Sequence, residues 1–165
     1  MYRFFRVIVL LLVLSSCQDD VKFNNPAVQG LKENVLWRAT LFTAVQAPDG
    51  SLTIEAYQKN DILTLNIASV AVKTYLLGDD DINKVTLLEK EGEVNTVFST
   101  GENRGNGQIA ITEYDAINHT VTGEFNFNAE TESTNALNVK NVNFKKGIFY
   151  KVPVTIDTKL SDPIK

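Results

Sequence analysis

From Val35 onward the chain runs in short segments that alternate apolar and polar residues, separated by clusters of Gly, Asn and Asp. A period of two marks strands buried on one face, and no stretch sustains the 3.6-residue period of a helix. The clearest segment is 120–129, where Val121, Gly123, Phe125, Phe127 and Ala129 share one face while Thr122, Glu124, Asn126 and Asn128 share the other. Residues 108–114 alternate around Ile109 and Ile111, and Asp115-Ala116-Ile117-Asn118-His119 supplies turn chemistry between the two, which predicts a hairpin. A second hairpin is predicted from 138–144 and 148–156, joined at Lys145-Lys146-Gly147, with Ile148, Tyr150, Val152, Val154 and Ile156 in phase. Pro153 falls opposite that apolar set, which suits an edge strand.

Earlier segments read the same way: 35–43 around Trp37, Ala39 and Leu41, then 51–57, 62–69, 74–77, 84–88 and 94–99. The fold class this predicts is all-β, a single antiparallel β-sandwich or barrel of roughly nine or ten strands. The domain is expected over 35–156, after a polar tether at 17–34 broken by Asn24-Asn25-Pro26 and Gly30, with 157–165 as a flexible tail.

The amino terminus has a different pattern. Arg3 and Arg6 precede an unbroken apolar run from Val7 to Leu14, too short for the roughly 20 residues of a permanent bilayer span. Leu14-Ser15-Ser16-Cys17 then matches the bacterial lipobox, so residues 1–16 are expected to be a cleavable signal peptide and Cys17 the site of lipid attachment. A diacylglyceryl group on the thiol, with a further acyl chain, exceeds the single chain that gives only marginal membrane binding. Gln18 in place of Asp favours the outer membrane over inner-membrane retention, and Asp19-Asp20 leaves the periplasmic and surface faces both open.

Charge and composition narrow the chemistry. Loss of Arg3 and Arg6 with the leader takes the formal charge from −4 to about −6, and Lys145-Lys146 is the one adjacent basic pair, which argues against nucleic acid. Cys17 is the single cysteine, so no disulfide framework is expected. His119 is the single histidine and falls in a predicted turn, which leaves no Ser-His-Asp or zinc arrangement in view. Gly78-Asp79-Asp80-Asp81 could offer oxygen ligands to calcium, yet it lacks the alternating pattern of the best-known calcium loop and suits a tight turn. Glu113, Asp115 and Glu124 are carboxylates that a glycoside hydrolase would need in pairs across a cleft. Gly101 to Gly107 is glycine-rich without the ending of a phosphate loop. No catalytic, cofactor-binding or metal residue is assigned, and no enzyme is expected.

The strand and turn patterns Trp37-Arg38-Ala39, Gly107 to Asp115, Val121 to Ala129 and Gly147-Ile148-Phe149, with the lipobox, resemble small lipoprotein families of Bacteroidota known as domains of unknown function. The resemblance implies a shared fold and carries no catalytic residue. It leaves a noncatalytic binding or interaction module of the cell envelope as the leading expectation, with a partner protein or glycan meeting the polar stripe around Glu124. A lipocalin-like carrier of a small apolar ligand, or a small carboxylate-based hydrolase, are the alternatives.

Overall fold

The computed structural model describes residues 25–131 and 140–157. The predicted leader, Cys17, the tether up to residue 24, residues 138–139 and the tail beyond Asp157 lie outside the described residues. Eleven strands form, and no helix, among those described: β1 (Ala27–Lys32), β2 (Val35–Arg38), β3 (Leu41–Gln46), β4 (Leu52–Gln58), β5 (Asp61–Ile67), β6 (Thr74–Leu77), β7 (Lys84–Glu91), β8 (Val94–Ser99), β9 (Asn106–Asp115), β10 (Thr120–Thr131) and β11 (Asn141–Ile156). The expected all-β class holds.

The strands make a ring that is best described as two sheets sharing long strands. Sheet I runs β2-β1-β11-β10-β9-β6 and sheet II runs β3-β4-β5-β7-β8. They join where the end of β11 pairs with β3 over Val154–Ile156 and the end of β10 pairs with β8 at Glu130 and Thr131. The β11–β3 pairing is parallel, so the sheet is mixed, which corrects the expectation of a purely antiparallel one.

Local chemistry sets the hairpins. Glu33 and Asn34, both at positive φ (49° and 64°), form the two-residue turn between β1 and β2, a conformation whose twist matches that of the paired strands. Asp115 starts the β9–β10 turn by accepting hydrogen bonds from the amides of Ile117 and Asn118 at 2.9 Å each, which bears out that predicted hairpin.

Four sequence expectations are corrected. Residues 27–32, placed in the tether, form β1; its inward positions are Val28, Gly30 and Lys32, so only one apolar residue marks the buried face. Residues 35–43 are two strands rather than one, because the chain leaves sheet I after Arg38 and enters sheet II at Leu41. The predicted 138–144/148–156 hairpin is one strand, β11, and Lys145-Lys146-Gly147 is a bulge within it rather than a turn. Pro153 therefore lies in a central strand. Its missing N–H is tolerated at the handover between β1, whose pairing ends opposite Tyr150, and β3, whose pairing begins opposite Val154.

The bulges decide which residues face inward. Two residues of β10 span three of β11 between Phe144 and Gly147, and again between Phe149 and Val152. Lys146 and Lys151 sit at these points with φ near 50° and 45°. Each extra residue flips the phase, so Phe149 is buried while Ile148 and Tyr150, expected inside, face outward. A third bulge at Thr112-Glu113 does the same in β9.

One continuous core fills the space between the sheets. Sheet II contributes aliphatic residues, among them Leu52, Ile54, Leu63, Leu65 and Leu87. Sheet I contributes rings: Phe144 lies 5.2 Å from Phe125, 5.4 Å from Phe127 and 5.5 Å from Trp37 between centroids. Two glycines make room for them. Gly147 stands opposite Phe125, and a Cβ there would come 2.5 Å from its ring; Gly123 stands opposite Phe149, and a Cβ there would run into its ring and into the Ala110 carbonyl oxygen.

Candidate functional site

The outer face of sheet I brings together side chains from strands far apart in sequence. Register places Arg38 of β2 beside Gln29 of β1, Gln29 beside Ile148 of β11, Ile148 beside Glu124 of β10, and Glu124 beside Ala110 of β9. The predicted polar stripe is present: Glu124, Asn126 and Asn128 are exposed, alternating with buried Phe125 and Phe127. Asn128 also belongs to an amide chain across three strands, donating to Asn106 Oδ1 at 3.0 Å and accepting from the Asn143 side chain. Such a chain holds the amides of this face in defined orientations.

At the β2–β1–β11 end of the same face is a groove of about 340 Å³ lined by Asn25, Ala27, Gln29, Arg38, Ile148 and Tyr150. It exists because the two β11 bulges leave Ile148 and Tyr150 outside, and because the β1–β2 turn folds Arg38 back beside Gln29. The Lys151 ammonium lies over the Tyr150 ring, 5.6 Å from its centroid. The groove thus brings together apolar surface, side-chain amides and a guanidinium.

A second groove, of about 230 Å³, lies at the opposite end of β1, where Lys32 meets the β4–β5 and β7–β8 hairpins. Lys32 Nζ is 2.6 Å from Asp61 Oδ2 and 2.8 Å from Glu89 Oε1, and the indole N–H of Trp37 donates to Asp61 Oδ2 at 3.0 Å. Partial burial opposes the charge on Lys32, but the hydrogen bonds to Asp61 and Glu89 outweigh it and raise its pKa. Besides Glu91, the groove holds two carboxylates, Asp61 and Glu89, and both are engaged by one ammonium. Their evident work is to tie β1 and β2 to sheet II.

The other candidates are dispersed. His119 sits at φ 49° in the β9–β10 turn, where its carbonyl accepts from the Val154 amide at 2.8 Å. Asp80 accepts from the amides of Ile82 and Asn83, and Asp81 lies 3.4 Å from Lys84, so the acidic cluster carries a turn. Among the described residues no group of three or more His, Cys, Asp or Glu is placed to hold a metal ion. Asp115 is committed to its turn, where the backbone and side-chain N–H groups of Asn118 hold its carboxyl below the usual range, while Glu124 stands in the outer row and Glu113 opposite Thr122. The glycine-rich stretch is a tight turn closed by a Gly101–Arg104 bridge, and its last two residues, Asn106 and Gly107, already belong to β9. Cys17 lies outside the described residues.

Arg38, Gln29, Ile148 and Tyr150 were not singled out as site residues by the sequence, which placed Ile148 and Tyr150 in the core. The odd signal was there: at 148–152 both alternations, Ile148-Tyr150-Val152 and Phe149, offer apolar residues, and a lysine interrupts them.

A family model described as Domain of unknown function (DUF6252) matches residues 24–153. No curated protein and no solved structure matches the chain.

Proposed function

We propose that this chain, which belongs to the DUF6252 family, is a lipid-anchored, noncatalytic binding module of the cell envelope that recognises its partner with the outer face of sheet I. The observation that carries this reading is a scaffold with a packed core whose outer face is preorganised by its own amide hydrogen bonds and indented by a groove. The packed rings between the sheets weigh against a lipocalin-like carrier, which needs that space for its ligand. The ion pairing of Asp61 and Glu89 with Lys32 weighs against a carboxylate-based hydrolase.

The anchor in this reading is Cys17, after cleavage behind Ser16, in the outer membrane. Metabolic labelling with a fatty-acid probe should mark the wild type and leave Cys17→Ser unlabelled and out of the membrane fraction. For recognition, the full chain in detergent should pellet with the detergent-insoluble residue of the bacterial envelope, which holds no bilayer for the anchor to enter. A Glu124→Arg/Asn126→Arg double variant should lose that pelleting while its thermal midpoint holds. Equal pelleting by the double variant would move recognition away from this face, and failure of the wild type to pellet would end the binding-module reading.

A further inference from the structure

Resting on the binding-module reading, we propose that the groove between Arg38 and Tyr150 is a site for a carboxylate-bearing saccharide. Arg38 is the one ionisable group with a charge at neutral pH among the six residues that line it. In a chain of formal charge −4, a groove whose charge is a guanidinium is locally opposite to the whole, and it selects an anionic ligand. Arg38 is exposed, and the ion pairs of Lys32 and Lys84 do not involve it. Its planar fork of donors matches a carboxylate with two parallel hydrogen bonds.

The remaining lining selects a sugar over a peptide. Here β1 pairs with both β2 and β11, so the backbone beneath the groove is committed to the sheet, and an extended peptide would have only the outer edge of β2 to pair with. What remains is side chain: the amides of Gln29 and Asn25, each with donor and acceptor atoms for hydroxyls, and the apolar surfaces of Ile148 and Tyr150 for the C–H face of a ring. The volume, about 340 Å³, is at the small end of the range for small-molecule sites, which suits an end or short stretch of glycan. Register puts Glu124 on the far side of Ile148 from Gln29, so a carboxylate is repelled at that end and the ligand's acid group is directed toward Arg38.

The test is calorimetric titration of the full chain in detergent micelles with three probes: trigalacturonate, its methyl ester and triglutamate. Trigalacturonate should bind. The methyl ester, and an Arg38→Gln variant titrated with trigalacturonate, should each bind about ten- to a hundredfold more weakly, the range for losing a charge-assisted hydrogen bond. Tyr150→Ala should weaken trigalacturonate as well, and added salt should weaken wild-type binding but change little in Arg38→Gln. Because Arg38 is exposed, the thermal midpoint of Arg38→Gln should equal that of the wild type, which separates recognition from folding. Equal affinity for the methyl ester, equal affinity for triglutamate, or an unchanged Arg38→Gln titration would each overturn the proposal. Envelope pelleting that persists without trigalacturonate binding would sink the saccharide assignment alone, leaving the binding-module reading intact.

Discussion

Sheets I and II enclose the same core with opposite building rules. In sheet II every pairing from β3 through β4, β5 and β7 to β8 runs in unbroken register, and the inward residues are mostly aliphatic side chains of similar size. Sheet I packs phenylalanine rings against glycines and carries bulges at Thr112-Glu113, Lys145-Lys146 and Tyr150-Lys151. Similar aliphatics tile a regular pleat, whereas large rings fill a close-packed interior only if opposed positions lack a Cβ and the strand can change phase. The outer faces differ as a result. The two bulges in β11 move Ile148 and Tyr150 outside, and the groove depends on them, while sheet II turns a plain row of Leu41, Tyr57, Ile62, Leu88 and Val97 outward.

The largest test of this contrast is a pair of single-residue deletions. Removing Thr64 from β5 turns Leu65 and Ile67 out of the core, and the variant should show no cooperative thermal transition by circular dichroism. Removing Lys146 from β11 leaves Phe144 inward, Lys145 outward and Gly147 inward, a simple alternation; this variant should still fold, with stability lowered by about 1–3 kcal/mol. Equal loss of the transition in both would refute the idea that the bulge residue is an insertion into an otherwise regular strand.

Smaller effects sharpen the same point. Gly147→Ala forces a methyl against the Phe125 ring and should cost about 1–3 kcal/mol by urea unfolding. Gly50→Ala, at φ 90° with open space around it, should cost about 1 kcal/mol from backbone strain alone. If the two costs match, steric fit between glycine and ring is not what shapes sheet I.

Lys32→Met removes the tie from β1 to sheet II and should cost about 1 kcal/mol, since the three charged groups are only partly buried. Lys32 has a raised pKa in the folded chain, so its contribution is fully present below its unfolded value near 10.4 and is lost as pH rises through the higher folded value. The gap between wild type and variant in urea unfolding should therefore hold from neutral pH to about 10 and close above it. A gap that closes well below that range would assign the stabilisation elsewhere.

The smallest effect belongs to a turn rather than a sheet. The Asp115 carboxyl is held low, first by the backbone and side-chain N–H groups of Asn118. Its contribution is present above the unfolded value of about 3.9 and is lost as pH falls through the lower folded one. Asp115→Asn should lower the thermal midpoint slightly at neutral pH, with the difference from wild type vanishing in acid. A difference that persisted undiminished below both values would contradict the turn's dependence on that charge.

By itself the sequence determined the all-β class, the β9–β10 hairpin and strands β4, β5, β7 and β8 of sheet II, because period-two alternation and Asp, Asn and Gly turns are local properties that neighbours need not complete. It also exposed half of the candidate surface, since Glu124, Asn126 and Asn128 alternate with phenylalanines within one strand. Tertiary structure alone decided the rest. In β1 the inward positions are a valine, a glycine that makes room for a ring from β11 and a lysine paired across the core's rim, and none of this reads as a strand until the partners are in place. At 144–152 both faces of β11 are apolar enough to be buried. The choice of Phe149 over Ile148 and Tyr150 was made by Gly123 on the neighbouring strand, which leaves space for one ring there, and that choice put Ile148 and Tyr150 beside Arg38.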